Sequence, residues 1–408
     1  MAFSYDLSVF STLRETYSTW DTFQAYLESE EGGLFRIVED HSSGLCLLRY
    51  EKGVSTMTLS HAPWFRSVLW DRVTHLPVSL APPKACDEAI PYGTMGEAIE
   101  AGAVCQEMMD GWMIQAFRRA GDPTLYLASR SHLHATGTFY SPRSFRELFL
   151  EAYLGVTTTT PSAEERLQCD PFFESPCAEK GESAIFYSFL VQHNEHRVVC
   201  PIKENRALLI HKGVVDLTGK ITIVEDPHSV LAGPVTRAAD PATPFALWNA
   251  TYLSSLSWEN QGIVWKDQTG RRWRYRAPAY ELVRSLRGNH ASAVDRYAQL
   301  YTQNLTHTYL QYFFEDSVPF SFFRALLQRI SKEIFQAYLD VHVYRNLTRD
   351  KVLACYHPHL YQLHHIYRTQ LRPIQGKMNA ATLQKYLFCL PWQRISFLLR
   401  QHPLWNTR

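Results

Sequence analysis

Three sets of residues in this 408-residue chain have types and spacings that could do chemistry. The first is histidine. His132 and His134 stand two apart, so on a strand they share a face, and His357, His359, His364 and His365 crowd one short stretch. A metal site could start from either group. However, no third ligand accompanies the first pair, Pro358 interrupts the second run, and His364 and His365 leave a helix in different directions. No metal site is expected at either. The second set is cysteine. The eight Cys stand singly, with no C-x-x-C pair and no zinc spacing, and Cys169 and Cys177, near Glu174, read as structural or incidental. The third set is cationic. In "RSLRGNHASAVDRY", Arg284 and Arg287 share a helical face, and His290 and Arg296 follow. That run either tracks a phosphate backbone or forms a solvated helix face. P-loop, G-x-G-x-x-G, H-E-x-x-H and G-x-S-x-G patterns are all absent.

Charge distribution points the same way as the arginines. The formal net charge is +1, but residues 301–408 carry 13 Lys and Arg against 5 Asp and Glu, a net of +8. The rest carries 28 basic and 35 acidic residues, a net of −7. A basic lobe beside an acidic body either meets an anionic partner or docks on that body. With 46% hydrophobic and 20% charged residues, the composition excludes a disordered chain. Aromatics at 13% suit a filled core or stacking surfaces. The start, "MAFSYDLSVFSTL", lacks the basic cap and apolar run of a signal sequence. No stretch is long enough to span a bilayer. With single cysteines, this leads to the expectation of an intracellular, reducing compartment.

These residues must be positioned by elements that the periodicity outlines. Residues 1–60 read as a mixed lead-in, with a helix in "TWDTFQAYLESEEG" and strands in "LFRIVED" and "GLCLLRY". From Trp64 to Gly155 the pattern gives strands in "FRSVLWD", "VCQEMMDG", "WMIQAFRR" and "TLYLASRS". A helix in "SPRSFRELFLEAYL" follows, with Ser141 as N-cap and Pro142 at its first position. Residues 157–183 read as a loop, and a Pro-rich connection is expected over residues 226–245. "AIFYSFLVQ", "HRVVCPI", "RALLIHKG" and "KITIVED" predict strands, and "GIVWKDQTGRRWRYRAP" a hairpin. After Pro278 apolar residues recur at three- and four-residue spacing, the helical period. The chain therefore predicts an α+β body of antiparallel sheets and an all-helical tail, divided as 1–60, 61–289 and 290–408.

Six segments in order resemble RNA ligases of the phage T4 ligase 1 type, most closely their relatives in large nucleocytoplasmic DNA viruses. "FRSVLWDRVTHLPVSLAPPKA", ending near Lys84, resembles the approach to the nucleophile. "QEMMDGWMIQAF" is similar to the nucleophile motif, and "LYLASRS", with Arg130, to the next strand. "FYSFLVQHNEHRVVCPI" resembles the third motif, with Arg197 at its arginine. "NQGIVWKDQTGRRWRYRAPAYELVRSLRGN" covers the fourth and fifth motifs, and "PHLYQLHHIYRTQL" the start of a helical tail. The match spans roughly Trp64 to Asn289, with a weaker match to the end. It implies a nucleotidyltransferase fold, ATP and Mg²⁺ as cofactors, RNA or nucleotide as partner, and a viral setting in host cytoplasm or virion.

The implied chemistry begins when a lysine amine attacks the α-phosphate of ATP. The resulting lysyl-AMP passes AMP to an RNA 5′-phosphate. Here Met108 stands where that lysine is expected, and a thioether cannot form the phosphoramidate. Asp110 and Gly111 are retained, and the glycine fits a tight turn. Leu190 stands at the third motif's carboxylate. Gln261 stands at the glutamate of the fourth, with Glu259 as a shifted candidate for the metal. Lys84, Arg130, Arg197, Arg274 and Arg276 remain as phosphate-holding positions. The resemblance thus implies an RNA-ligase-like protein that binds nucleotide or RNA ends and has lost the adenylation step. Two alternatives stand beside it: a live ligase whose nucleophile moved to Lys84, and a structural or scaffold protein. Met108 and Met109 either flank an adenine or belong to the core, and Trp112 is expected to fill the emptied pocket.

Overall fold

The structure, a computed structural model, describes residues 3–156, 161–225 and 240–407. The chain forms two compact units, Met1–Leu282 and Val283–Arg408. The first is α+β with antiparallel sheets and the second is helical.

In the body, β1 (Arg36–Asp40), β2 (Leu45–Arg49), β3 (Val68–Asp71) and β4 (Leu76–Leu80) form a four-stranded sheet in chain order. The first 60 residues are therefore no separate lead-in, because β1 and β2 pair directly into the sheet that β3 and β4 complete. Helices α1 (Ser8–Thr16) and α2 (Trp20–Glu28) cover it with Phe10, Phe23 and Leu27. Burying one such side chain contributes about 1.5–3 kcal/mol. Thr19 starts α2 with a reciprocal capping box to Thr22.

After α3 (Met95–Glu100) come β5 (Val104–Glu107), β6 (Trp112–Arg119), β7 (Asp122–Ser129), α4 (Phe145–Leu154), α5 (Pro161–Gln168), β8 (Glu182–Gln192), β9 (Arg206–Asp216) and β10 (Ile221–Val224). Then follow α6 (Phe245–Ser255), β11 (Gly262–Lys266), β12 (Arg272–Arg276) and α7 (Pro278–Arg287). One five-stranded sheet runs β10-β9-β8-β6-β7, and a three-stranded sheet runs β12-β11-β5. Helices α4 and α5 pack on the first with Phe149 and Leu167, and α3 and α6 on the second with Met95 and Phe245.

Local signals misled in three places. The N-cap of α4 is Ser144, boxed with Glu147, while Ser141 donates to Glu195. Residues expected to be a loop contain α5. "HRVVCPI" forms no strand, because the Val199 and Cys200 amides donate to the Asp110 carboxylate at 2.8 and 3.0 Å. Thr157–Thr160 and most of the 226–245 connection lie outside the described residues.

The helical unit holds α8 (Ala293–Thr302), α9 (Thr306–Tyr312), α10 (Ser317–Tyr338), α11 (His357–Ile366), α12 (Ala380–Phe388) and α13 (Trp392–Gln401). The 22-residue α10 is central. Its Phe320, Phe323, Leu327, Ile330 and Ile334 recur at helical spacing and are all buried. Among the described residues, no helix is long and apolar enough to cross a membrane.

Candidate functional site

Alternation along β12 builds the site. In Arg272-Trp273-Arg274-Tyr275-Arg276, successive side chains point to opposite faces. Trp273 and Tyr275 join the apolar cluster under α3 and α6, which leaves Arg272, Arg274 and Arg276 on the other face, lining a cavity of about 290 Å³. The neighbouring β11 repeats the division, with Ile263 and Trp265 in the core and Val264 and Lys266 in the cavity. Lys266 pairs with Arg272 in register, and Val264 lies between Arg274 and Gln106. Gly262 begins β11 at φ +141°, where a Cβ would lie 2.1 Å from the Tyr275 carbonyl oxygen, so the strand pair closes only around glycine.

The opposite wall comes from the five-stranded sheet through Met113, Phe189, Leu190 and Ile210. Arg66, Lys84 and Arg130 arrive from segments beside β3, β4 and β7. Among the described residues, seven cations thus face one carboxylate, Glu107. Three of them are ion-paired: Lys84 with Asp87, Arg276 with Glu281 at 3.1 Å, and Lys266 with the buried Glu225, which also accepts from Tyr5. Arg66, Arg130, Arg272 and Arg274 form no ion pair among the described residues. Arg66 donates to the Pro82 carbonyl at 3.3 Å, and Arg130 lies 4.8 Å over the Tyr50 ring.

The electrostatics register the crowding. Burial, and then the charges of Arg272 and Arg130, push the Arg66 guanidinium down to about 10. Burial also lowers Arg272, with Arg274 adding to the effect against the pull of Tyr5 and Glu225. Burial brings Lys266 down to about 8, with Glu225 opposing. Three buried donors in the lining, Gln106 Nε2, Arg272 Nε and Arg276 Nε, have no hydrogen-bond partner among the described residues. A cluster of cations with unmet donors suits a multiply charged oxyanion.

Of the residues singled out in the sequence, Lys84, Met108, Gly111, Arg130, Arg274 and Arg276 meet at this cavity, as do Met109, Leu190 and Gln261. Met108 is buried, and its amide donates to the Gly262 carbonyl at 2.9 Å. Gly111 is fixed by close approach to β8 rather than by turn geometry, since a Cβ there would lie 2.6 Å from the Val191 carbonyl. Asp110 is buried and does not line the cavity. It accepts from Val199, Cys200 and the Tyr280 hydroxyl. Arg197 does not line it either; its Nε donates to the Val199 carbonyl at 2.9 Å and its guanidinium lies over Trp258. Trp112 packs on Phe145 and His196, away from the cavity it was expected to fill.

Arg66, Lys266 and Arg272 are the lining cations that sequence reasoning missed. The signal for two of them was present: the period-2 pattern that exposes Arg274 also exposes Arg272, and the one that exposes Val264 also exposes Lys266.

Glu259 lies in an adjoining hollow of about 420 Å³ with Glu107, Glu204 and Arg206. No group of three His, Cys, Asp or Glu side chains among the described residues is placed to hold a metal ion. His134 bonds Asp40 at 3.0 Å, His359 bonds the Tyr386 hydroxyl at 2.8 Å, and His364 stacks on His342.

In the helical unit, Arg287 and Arg296 are buried and both pair with Asp316, at 3.0 and 3.2 Å. The phosphate-tracking face expected from Arg284, Arg287 and Arg296 therefore does not exist, because two of the three guanidiniums point inward at a carboxylate. Three exposed basic side chains of the unit instead line a groove of about 820 Å³ between α8, α10 and α12. Arg324, Lys332 and Lys385 line it beside Tyr301, Phe335 and Phe388, with no acidic side chain among the described residues.

No family model and no curated protein matches the chain. Among solved structures it is similar to an archaeal ATP-dependent RNA ligase (form 1), at 13% identity and a TM-score of 0.34, over 78% of this chain and 73% of that one.

Proposed function

We propose that this is an RNA-ligase-like protein that binds the phosphates of a nucleotide or an RNA end without forming a lysyl-nucleotide at Met108. One observation carries the reading. Three arginines of a single strand face, joined by Arg66 and Arg130, converge on a cavity that has one carboxylate in its lining. Guanidinium forks match phosphate oxygens in pairs, and Met108 and Met109 supply soft apolar surface beside them for a base. The six-segment resemblance supports the nucleotide as ligand. The groove of the helical unit, cationic and aromatic, is the proposed seat of the RNA strand, with rings for bases and ammonium and guanidinium groups for phosphates.

ATP fits this lining through its phosphates. The Mg²⁺ that the resemblance implies does not. A magnesium ion needs hard oxygen ligands in near-octahedral array. The two positions where carboxylates are expected hold Leu190 and Gln261, and Glu107 stands alone among seven cations. No step is therefore assigned to a metal.

Equilibrium binding of ATP to the whole chain tests the reading, paired with a search for covalent label from α-labelled ATP on denaturing gels. Binding that weakens at least tenfold in Arg274→Ala, with no label, supports it. A label lost in Lys84→Ala would replace it with a live ligase whose nucleophile has moved.

A further inference from the structure

We infer that the cavity takes a condensed phosphate chain, the di- or triphosphate of a free nucleotide or of an RNA 5′ end, as the metal-free polyanion, so that a divalent cation competes for the ligand instead of bridging it to the protein. This rests on the phosphate-binding reading above and reverses the usual role of the metal at such sites.

The charge inventory comes first. Four lining guanidiniums, Arg66, Arg130, Arg272 and Arg274, have no carboxylate partner within ion-pair distance among the described residues. A terminal phosphoryl group carries about −1.5 to −2 charges at neutral pH. A single phosphate leaves part of this positive charge unmatched, whereas a condensed chain brings enough negative charge for all four. The buried donors without partners, Gln106 Nε2 and the Nε atoms of Arg272 and Arg276, lie in the same wall and require acceptor oxygens.

The geometry points the same way. Arg272, Arg274 and Arg276 alternate along one strand face, so their Cα positions step by about 6.6 Å from one to the next. A row of forks with that spacing suits a chain of phosphoryl groups better than one tetrahedral anion. Burial, with the charges of neighbouring arginines behind it, lowers Arg66 and Arg272, and an unscreened polyanion most favours their charged forms. Mg²⁺ bound to the ligand removes two of its negative charges and brings a cation against four unpaired guanidiniums, with Glu107 the one lining carboxylate among the described residues to receive it.

The test is calorimetric titration of the full chain with tripolyphosphate, ATP, and one short RNA carrying a 5′-triphosphate, a 5′-monophosphate or a 5′-hydroxyl, each in EDTA and in excess Mg²⁺. Expected is binding of the triphosphate ligands in EDTA, weakened several-fold by Mg²⁺. The exposed Arg274→Gln should weaken it at least tenfold, while the exposed Lys180→Ala should leave it unchanged. ATP tighter than the triphosphate RNA identifies the free nucleotide as source, and the reverse order identifies the RNA end. Binding that requires Mg²⁺ overturns the inference and leaves the phosphate-binding reading standing. So does a 5′-monophosphate that binds as tightly as the triphosphate. No binding by any ligand in either buffer overturns both.

Discussion

The Tyr280 hydroxyl donates to Asp110 Oδ1 at 3.0 Å, and the other oxygen of that carboxylate accepts the amides of Val199 and Cys200. The aspartate two residues after Met108 is therefore a tie between the first turn of α7 and the stretch after β8. Asp110→Ala strands two buried amides and a hydroxyl, and should cost about 2–4 kcal/mol. Asp110→Asn keeps one acceptor oxygen for the amides, and the tyrosine hydroxyl can turn to accept from the new amide. Its cost should be about 1 kcal/mol. Urea unfolding of both variants measures the difference; equal losses would show that the carboxylate is not the tie described.

Met108→Lys should not restore covalent nucleotide transfer. The new ammonium would enter a buried position beside seven cations, where desolvation and like charge hold an amine neutral, which favours nucleophilicity. The transferring phosphate would still lack metal-holding carboxylates at residues 190 and 261. Gel assay with α-labelled ATP should give no band for this variant. A band would mean that the loss of one side chain alone silenced the site.

Acid should destabilise both units from about pH 6.5 downward. Burial lowers His211 in the body to about 4, with the Glu225 charge and the Leu80 carbonyl opposing. Burial, aided by Arg394, lowers His359 in the helical unit to about 4. A folded-state value below the unfolded one means the unfolded chain binds more protons between the two values. Stability therefore rises with pH from 4 to 6.5 and is lost as pH falls through that window. Each histidine contributes about 1–3 kcal/mol to the loss. His359→Gln, which can still meet the Tyr386 hydroxyl, should remove the helical unit's share. Urea midpoints at pH 7 and pH 5 read it out, and an unchanged pH dependence in that variant would refute the assignment.

The hairpin of β11 and β12 was legible in the sequence because its evidence is local: alternating residues around a D-Q-T-G turn. The body's strands and the helical tail were legible for the same reason, through period. What periodicity could not reach were contacts between distant segments. Arg284 and Arg287 have the spacing of one helical face, and only Asp316, far along the chain, draws Arg287 inward together with Arg296. Val199 and Cys200 sit in a β-like run, and Asp110 takes their amides before a neighbouring strand can. Arg66 lies beside a strand with nothing to mark it, and joins the site because three sheets bring separate segments to one cavity.

Removing Asp316 tests that inward turn. Asp316→Ala leaves two buried guanidiniums without their shared carboxylate and should cost about 3–5 kcal/mol in the helical unit. The Tyr309 hydroxyl, which also bonds Asp316, loses its acceptor too. Double-mutant cycles of Asp316 with Arg287 and with Arg296 should give coupling well above the about 0.5 kcal/mol of independent sites. Additive effects would mean the triad is incidental.

RNA binding by the helical unit should depend on its groove and not on the arginines of "RSLRGNHASAVDRY". Arg324 and Lys332 lie eight residues apart on α10 and Lys385 comes from α12, so three cations edge one groove. Tyr301 and Phe388 meet edge to face at 5.8 Å within it, which offers an apolar surface at the depth of a base. Each phosphate contacted on a single strand contributes about 0.7 to the slope of log affinity against log salt. Replacing all three cations by alanine should therefore flatten that slope by roughly 2. Phe388→Ala should weaken binding by about 1–3 kcal/mol with the slope unchanged. Fluorescence anisotropy of a labelled oligouridylate at several salt concentrations separates the two effects, since charge acts on the slope and stacking on the intercept. If the triple variant keeps the full slope, the strand runs elsewhere. If Phe388→Ala changes nothing while the slope falls, the groove holds phosphates and no bases.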